Sequence, residues 1–462
     1  MILTNVALNY WIRWTTNYSK INSDNDWSKY SLKTCYKYPP SIEKIAFNNI
    51  YWQSVIIDQN TTYYAYNAYY DNRENMTKVR IIGVTDHFAQ LVNQTFWCLL
   101  YFEGKKRAVL SKVTQIDELA YNFGNYYKRK GYYLPTLLSC DIPISIKNMV
   151  PSAVAIKINN QCKSEFTNYL RVIYERPESG NKTLFGVCVR ALYYYNIDFS
   201  VRLIEWLELQ KILGANKVYL YAFTTNNYMD KVLNYYTNLK FIEWRYTTHC
   251  GHQLNNIYLN EVYMSKMGDK MLPQETLELN DCFYRNMYKH TFLAVIDIDE
   301  VIVPLDAYDW PQMMDQIYNS LKKRSNWDRF ASYLFTQTRF YNQLISNQYT
   351  TNDIMYTMRH LYRANFTMSA PKSFQLTKNA KVVWNHTPLQ CIINKDYKDC
   401  PIHFVDKQFG YLLHYRPGIH KPTNCTDTDL RKCAIYDPLI TKYNDILNKN
   451  MRKSLTAISK VY

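Results

Sequence analysis

His290-Thr291-Phe292-Leu293-Ala294-Val295-Ile296-Asp297-Ile298-Asp299-Glu300 is the stretch on which the reading of this chain turns. An apolar, partly β-branched run ends abruptly in three carboxylates, and a second apolar run, Val301-Ile302-Val303-Pro304-Leu305, follows it. The first run reads as a buried strand that delivers acids to a sheet edge. In an extended chain, side chains two apart share a face. Asp297 and Asp299 are therefore expected to point together, with Glu300 on the other side. Two carboxylates held close repel unless something positive lies between them. A divalent cation does this, and hard oxygen ligands suit Mn2+ or Mg2+. A bare Asp-x-Asp is common, and its plain reading is a solvated acidic turn. The apolar runs on both sides move the weight towards a built site.

Upstream, the pattern is that of an α/β domain. Residues 184–189 read as a buried strand. Asp198 then caps a helix that runs to Leu213 and ends at Gly214, with Phe199, Leu203, Trp206 and Leu207 on one face. Residues 217–223 form the next strand. Met229, Val232, Leu233 and Tyr236 line another helix, and residues 240–245 a third strand. Pro273 is expected to open a helix through Asn280-Asp281-Cys282, just before the acidic strand. Strands alternating with helices indicate three layers around a largely parallel sheet. Such sheets bind ligands off the carboxyl ends of their strands, where Asp297 and Asp299 would stand.

The earlier part is different. Residues 51–57, 62–70, 79–84, 95–102 and 108–114 read as short strands separated by polar turns such as Asp71-Asn72-Arg73. They suggest a small sandwich-like unit. A chain of 462 residues exceeds what one core usually serves. The expected division is a β-rich domain over residues 1–170, an α/β domain over 171–425 and a carboxy-terminal extension over 426–462.

Bulk properties narrow the class. Hydrophobic residues make up 47% and charged residues 20%, which excludes a disordered chain. The 45 tyrosines suit half-buried strands and carbohydrate platforms. The net charge of +16 permits anionic partners. Its densest clusters, Lys105-Lys106-Arg107 and Lys128-Arg129-Lys130, sit in no nucleic-acid module and read as solvated surface. The 11 cysteines form no Cys-x-x-Cys zinc pattern. Cys391 with Cys400, and Cys425 with Cys433, lie close in sequence, and Cys425–Cys433 is the disulfide expected first. Sequons occur at Asn17, Asn60, Asn75, Asn93, Asn181, Asn365, Asn385 and Asn424. With the cysteines they point to an oxidising, secretory compartment. The first residues, through Trp14, are too short and polar for a membrane span or a convincing signal peptide, so an entry signal would lie outside this chain.

Five blocks taken in order sharpen the reading. Glu205-Trp206 with Leu213-Gly214, then Val218-Tyr219-Leu220-Tyr221, Asn280-Asp281-Cys282-Phe283-Tyr284-Arg285, Asp297-Ile298-Asp299-Glu300 and His414-Tyr415-Arg416 together resemble glycosyltransferase family 92. The resemblance covers residues 187–416 and implies a GT-A fold, a Rossmann-like sheet that binds a nucleotide sugar. It implies transfer of galactose from UDP-galactose to a glycan or glycoprotein acceptor with a divalent metal, and Golgi residence as a type II membrane protein, although no anchor is visible here. Carried over residue by residue, Asp297 and Asp299 would hold Mn2+ and through it the diphosphate of the UDP-sugar. His414 would complete the metal site, with His386 as the rival ligand. Arg416 and Asp281 would touch the nucleotide. Glu300 is the first candidate for the acceptor base, with Glu275 and Asp328 behind it. Trp310, Trp327 and Trp384 are either sugar-stacking or core residues.

Two other classes compete. Asp297-Ile298-Asp299-Glu300-Val301 also satisfies the first motif of a haloacid dehalogenase-type phosphohydrolase, with Asp297 as nucleophile. That fold normally opens with its motif, and here an α/β pattern of over a hundred residues precedes it. A non-catalytic carbohydrate-binding protein is the second. Nucleic-acid binding rests on charge alone and is not expected.

Overall fold

The computed structural model describes residues 52–85, 88–105, 107–119, 133–158, 168–248, 268–321, 324–346, 354–392, 400–416 and 430–461. It is a mixed α/β structure built on two large sheets. The first holds β1 (Gln53–Ile56), β2 (Thr62–Asp71), β3 (Lys78–Thr85), β4 (Phe96–Tyr101), β5 (Val109–Glu118), β6 (Leu134–Asp141), β7 (Ala153–Ile158) and β8 (Tyr169–Ile173). Their order is β1-β2-β3-β6-β5-β4-β7-β8, and β8 pairs back onto β2. The expected sandwich is therefore a closed, barrel-like sheet of seven strands with β1 added at its margin. Local strand patterns are the same in both architectures; the closing β2–β8 contact decides between them, and it is long-range.

The tyrosines of β2 show how this sheet serves two cores. A register shift lies between Ala65 and Asn67. Tyr63, Ala65, Ala68 and Tyr70 pack with Val79, Ile81, Leu100 and Leu138 in one cluster. Tyr66 and Tyr69 face the other way and join a second cluster. A bulge changes the phase of the period-2 alternation, so a strand that looks apolar throughout feeds both sides.

The second sheet has β9 (Thr183–Tyr194), β10 (Lys217–Thr225), β11 (Ile242–Tyr246), β12 (His290–Val295), β13 (Glu300–Pro304), β14 (Ser332–Arg339), β16 (Thr367–Leu376) and β20 (Gly410–His414), with β19 (Ile402–Phe404) paired to β14. The strands between these labels are short. β15 (Tyr362–Arg363) pairs with β21 (Ile435–Tyr436), and β17 (Ala380–Val383) with β18 (Pro388–Cys391). The order is β11-β10-β9-β12-β16-β14-β20-β13. β11, β10, β9 and β12 are mutually parallel, and β16 runs against β12. The chain leaves β9 to one side for β10 and returns to its other side for β12. That reversal opens a crevice at the carboxyl ends of β9 and β12.

Helices α1 (Ser200–Ile212), α2 (Asn227–Asn238) and α4 (Trp310–Ser320) lie on the main core of this sheet, formed around Leu203, Trp206, Val232, Phe292 and Trp310. The last helix, α5 (Asn444–Val461), joins the same core. Residues 430–461, read from sequence as an extension, give it Ile440, Tyr443, Leu447 and Met451.

Helix α3 (Gly268–Asn286) fills the space between the two sheets. It begins at Gly268, so Pro273 lies inside it and does not open it. Leu277, Leu279, Phe283 and Tyr284 pack with Tyr69, Ile82 and Leu137 of the barrel and with Tyr221, Leu293 and Val295 of the α/β sheet. A helix enclosed on all sides must pair its polar groups internally. Asn280 therefore exchanges two hydrogen bonds with the Val383 backbone, at 2.8 and 3.0 Å. Cys282 is joined by a disulfide to Cys188 of β9. Asp281 is fully buried and accepts from Asn67 Nδ2 at 2.6 Å, from the Tyr69 and Tyr221 hydroxyls, and from Arg285 Nε at 2.8 Å. It ties the barrel to the sheet and does not line the crevice.

Removing that carboxylate leaves buried Arg285 to the more distant Glu175, at 4.0 Å, which costs up to about 3–5 kcal/mol. Asp281→Ala should lower the thermal unfolding midpoint by several degrees. A midpoint within a degree of wild type would show that the hub is dispensable.

Candidate active site

Strand register assembles the site. Val295 pairs with Cys188, so Asp297 and Arg190, each two residues further on, come level. Val295 also pairs with Ser373 of β16, which brings in Lys372. Glu300 pairs directly with His414 across β13 and β20. Three separate pairings thus converge on one sheet edge.

The acids themselves do not continue the strand. β12 ends at Val295, and residues 297–300 form a turn closed by Glu300 N donating to the Asp297 carbonyl at 3.0 Å. Alternation fails there. Glu300 does not point away from Asp297; its Oε2 accepts from the Asp297 backbone N–H at 2.9 Å. Both acids share one ammonium. Lys372 Nζ, on a side chain 1% exposed, lies 3.1 Å from Asp297 Oδ2 and 3.0 Å from Glu300 Oε2. It also donates to Asn385. Arg190 Nε reaches the other Asp297 oxygen at 3.0 Å, and Arg190 Nη1 reaches Glu275 Oε2 at 3.2 Å.

The charges follow from this. Burial would push the Asp297 carboxyl up, but Lys372 and Arg190 hold it well below the usual carboxylate range. Burial pushes Glu300 up despite Lys372, because Asp297 stands beside it. Burial likewise raises Glu275, against Arg190. Asp299 is the most open of the three turn acids. Its side chain is 21% exposed, and its Oδ2 lies 3.6 Å from His414 Nε2. His414 Nδ1 faces Glu300 Oε1 at 3.6 Å and accepts from the Gln337 side-chain amide at 3.2 Å.

Val189, Arg190, Ala191, Leu192, Tyr193, Tyr194, Asp297, Ile298 and Asp299 line a pocket of about 250 Å³ at this edge. Burial, reinforced by Asp299, pushes the Tyr194 phenol up to about 12, so it stays a neutral donor. The backbone of Ala191 is held from behind: its N–H donates to Glu278 Oε2 at 2.9 Å.

The structure therefore brings Asp297, Asp299, Glu300 and His414 together. Glu300, 1% exposed, is not among the residues that line the pocket. Arg416 is exposed, two residues past His414. His386 lies close to this charge cluster, its Nδ1 committed to the Pro371 carbonyl at 2.8 Å. Asp328 pairs with Lys378 at 2.8 Å, just past the end of β16 that pairs with Phe292, and so lies at the far end of the sheet. Trp310 is a core residue, fully buried with its indole on the Ile302 carbonyl at 2.8 Å. Sequence reasoning missed Arg190 and Lys372. Neither sits in a motif, and only strand pairing reveals them.

Among the described residues, no three histidine, cysteine or acidic side chains form a ready metal cage. Two donors nonetheless converge. Neighbouring ligands of a hard divalent ion stand roughly 3 Å apart, and Asp299 Oδ2 and His414 Nε2 are 3.6 Å apart. Both Asp297 oxygens already face cations.

A family model described as glycosyltransferase family 92 matches residues 184–460, which contain every residue of this site. No curated protein matches the chain.

The buried Glu278 carboxyl gives the site a pH signature. Burial pushes it up to about 8 from an ordinary 4.5. A raised acid favours the fold fully below its unfolded value and loses that contribution as pH climbs through its folded value. Glu278→Gln should thus match wild type in unfolding midpoint near about pH 5 and exceed it increasingly towards about pH 9. Parallel midpoint curves would refute the buried neutral acid.

Proposed function

Because this chain belongs to glycosyltransferase family 92, we propose that it moves a hexose, most readily galactose from UDP-galactose, to a glycan or glycoprotein acceptor with the help of Mn2+ or Mg2+. The observation that carries this reading is the Asp299–His414 pair beside a pocket at the reversal of the parallel strands. That reversal also supports a GT-A arrangement of the α/β sheet, with the β-rich barrel as a preceding domain. The haloacid dehalogenase-type alternative loses support. The Asp297 oxygens are bound to Lys372 and Arg190, which makes it a poor nucleophile.

Asp299 and His414 would hold the ion, with donor oxygens and water completing its shell. When bound, the ion supplies Lewis-acid neutralisation of the leaving diphosphate. The protein's own groups do the rest. Lys372 and Arg190 keep Asp297 ionised at the pocket wall. The Gln337 amide, 3.2 Å from Nδ1, steadies the His414 ring, with the Glu300 carboxyl 3.6 Å behind it. Tyr194 offers a phenolic proton beside Asp299.

UDP should bind far more tightly with Mn2+ than in excess chelator by calorimetry, and equal affinities would remove the metal from the proposal. His414→Ala should raise the Mn2+ concentration for half-maximal transfer while His386→Ala leaves it unchanged. If only His386→Ala shifts the titration, the ligand lies on the other loop.

Folding in the secretory lumen is part of this proposal. Disulfides join Cys98 to Cys140 and Cys188 to Cys282, and Cys433 is also disulfide-bonded. No helix among the described residues is long and apolar enough to cross a membrane. The sequons at Asn60, Asn75, Asn93, Asn181 and Asn365 are exposed, whereas the Asn385 amide faces buried Lys372. Protein expressed behind a secretory leader should carry glycans at the exposed sites and none at Asn385. A glycan found at Asn385 by peptide mapping would contradict the Lys372 contact.

A further inference from the structure

Arg190 is the one basic residue among those lining the pocket. The pocket's two acids repel a diphosphate, and beside the proposed ion Arg190 is the cation in the lining that can meet it. Lys372 does not reach it, because its side chain is 1% exposed and enclosed by Asp297 and Glu300. The Arg190 side chain is 45% exposed. Its fork is held along two sides: Nε on Asp297 Oδ1 at 3.0 Å and Nη1 on Glu275 Oε2 at 3.2 Å. Nη2 is left for a ligand. Glu275 is 6% exposed, and its Oε1 makes no hydrogen bond. It stands on α3, which the Cys188–Cys282 bond joins to β9 two residues before Arg190. A planar guanidinium fixed by two carboxylates presents its remaining donors in one direction, the geometry that suits a phosphate oxygen.

We infer that Arg190 grips the diphosphate of the donor and that Glu275 is the positioning residue that aims it. This rests on the nucleotide-sugar reading above. Calorimetry on the full chain with Mn2+, using UDP and uridine as probes, tests it. Losing one charge-assisted contact weakens binding roughly 10- to 100-fold. Arg190→Ala should do so for UDP and leave uridine unchanged, since uridine carries no phosphate. Arg190→Lys should recover only part, because an ammonium does not span two carboxylates and a phosphate. Glu275→Gln should weaken UDP several-fold and raise the donor KM with kcat nearly kept, at an unchanged unfolding midpoint. Arg190, being half-exposed, carries the test if Glu275→Gln does not fold. Wild-type protein that binds no UDP overturns the donor reading and this proposal with it. Wild-type binding that Arg190→Ala leaves unchanged overturns this proposal alone.

Discussion

The sheet edge depends on one buried ammonium. Lys372 lies about equally far from Asp297 and Glu300, at 3.1 and 3.0 Å, and almost no water reaches it. Burial alone would discharge it, yet the acids around it, Asp297 foremost, push its pKa above the usual lysine value. A charge enclosed this way is tolerable only with its partners in place. The constraint divides the labour among three acids that look alike in sequence. Glu300 turns inward as support. Asp297 is clamped at the wall. Asp299, outside the clamp, keeps its carboxylate for the pocket.

The clamp is as rigid as the layers behind it. Helix α3 supplies Glu275 and Glu278 to the back of the pocket, is bound to both sheets through Asp281 and Cys282, and is bound to the β17–β18 hairpin through Asn280. Further ties cross the same interface. Arg73 donates to the Thr377 and Ala380 carbonyls, each at 2.6 Å, and Lys381 pairs with Asp117 at 2.8 Å. Position at the sheet edge is thus set by the barrel as well as by the strands that carry the acids.

Much of this was legible in the residues, and the failures have physical causes. β9 to β12 and their helices announced themselves through apolar runs and caps. Gly214 ends α1 with a positive φ of 97°, as its place after the apolar face implied. The Asp297–Glu300 block was found, but its geometry was read as a strand, because a four-residue turn leaves no mark on alternation. His414 came from the family resemblance, and the pairing of β13 with β20 sets it opposite Glu300. Lys372 and Arg190 carried no such signal, since what places them beside Asp297 is register with a strand far along the chain. Asp281 was carried over as a nucleotide contact, whereas it is buried and its donors come from three different elements. The barrel looked like a sandwich because closure is a single distant contact.

One consequence concerns what counts as a unit. The family match begins at residue 184. A chain starting there would keep every residue of the pocket and still lose Asn67 and Tyr69 from Asp281, Asp117 from Lys381, and the apolar cover of Leu277, Phe283 and Tyr284. It would strip the buried Lys381 of its Asp117 carboxylate and leave a helix without its apolar cover. The portion that heredity marks out as a module therefore leans on contacts made outside it. What can be recognised by descent is smaller than what packs together.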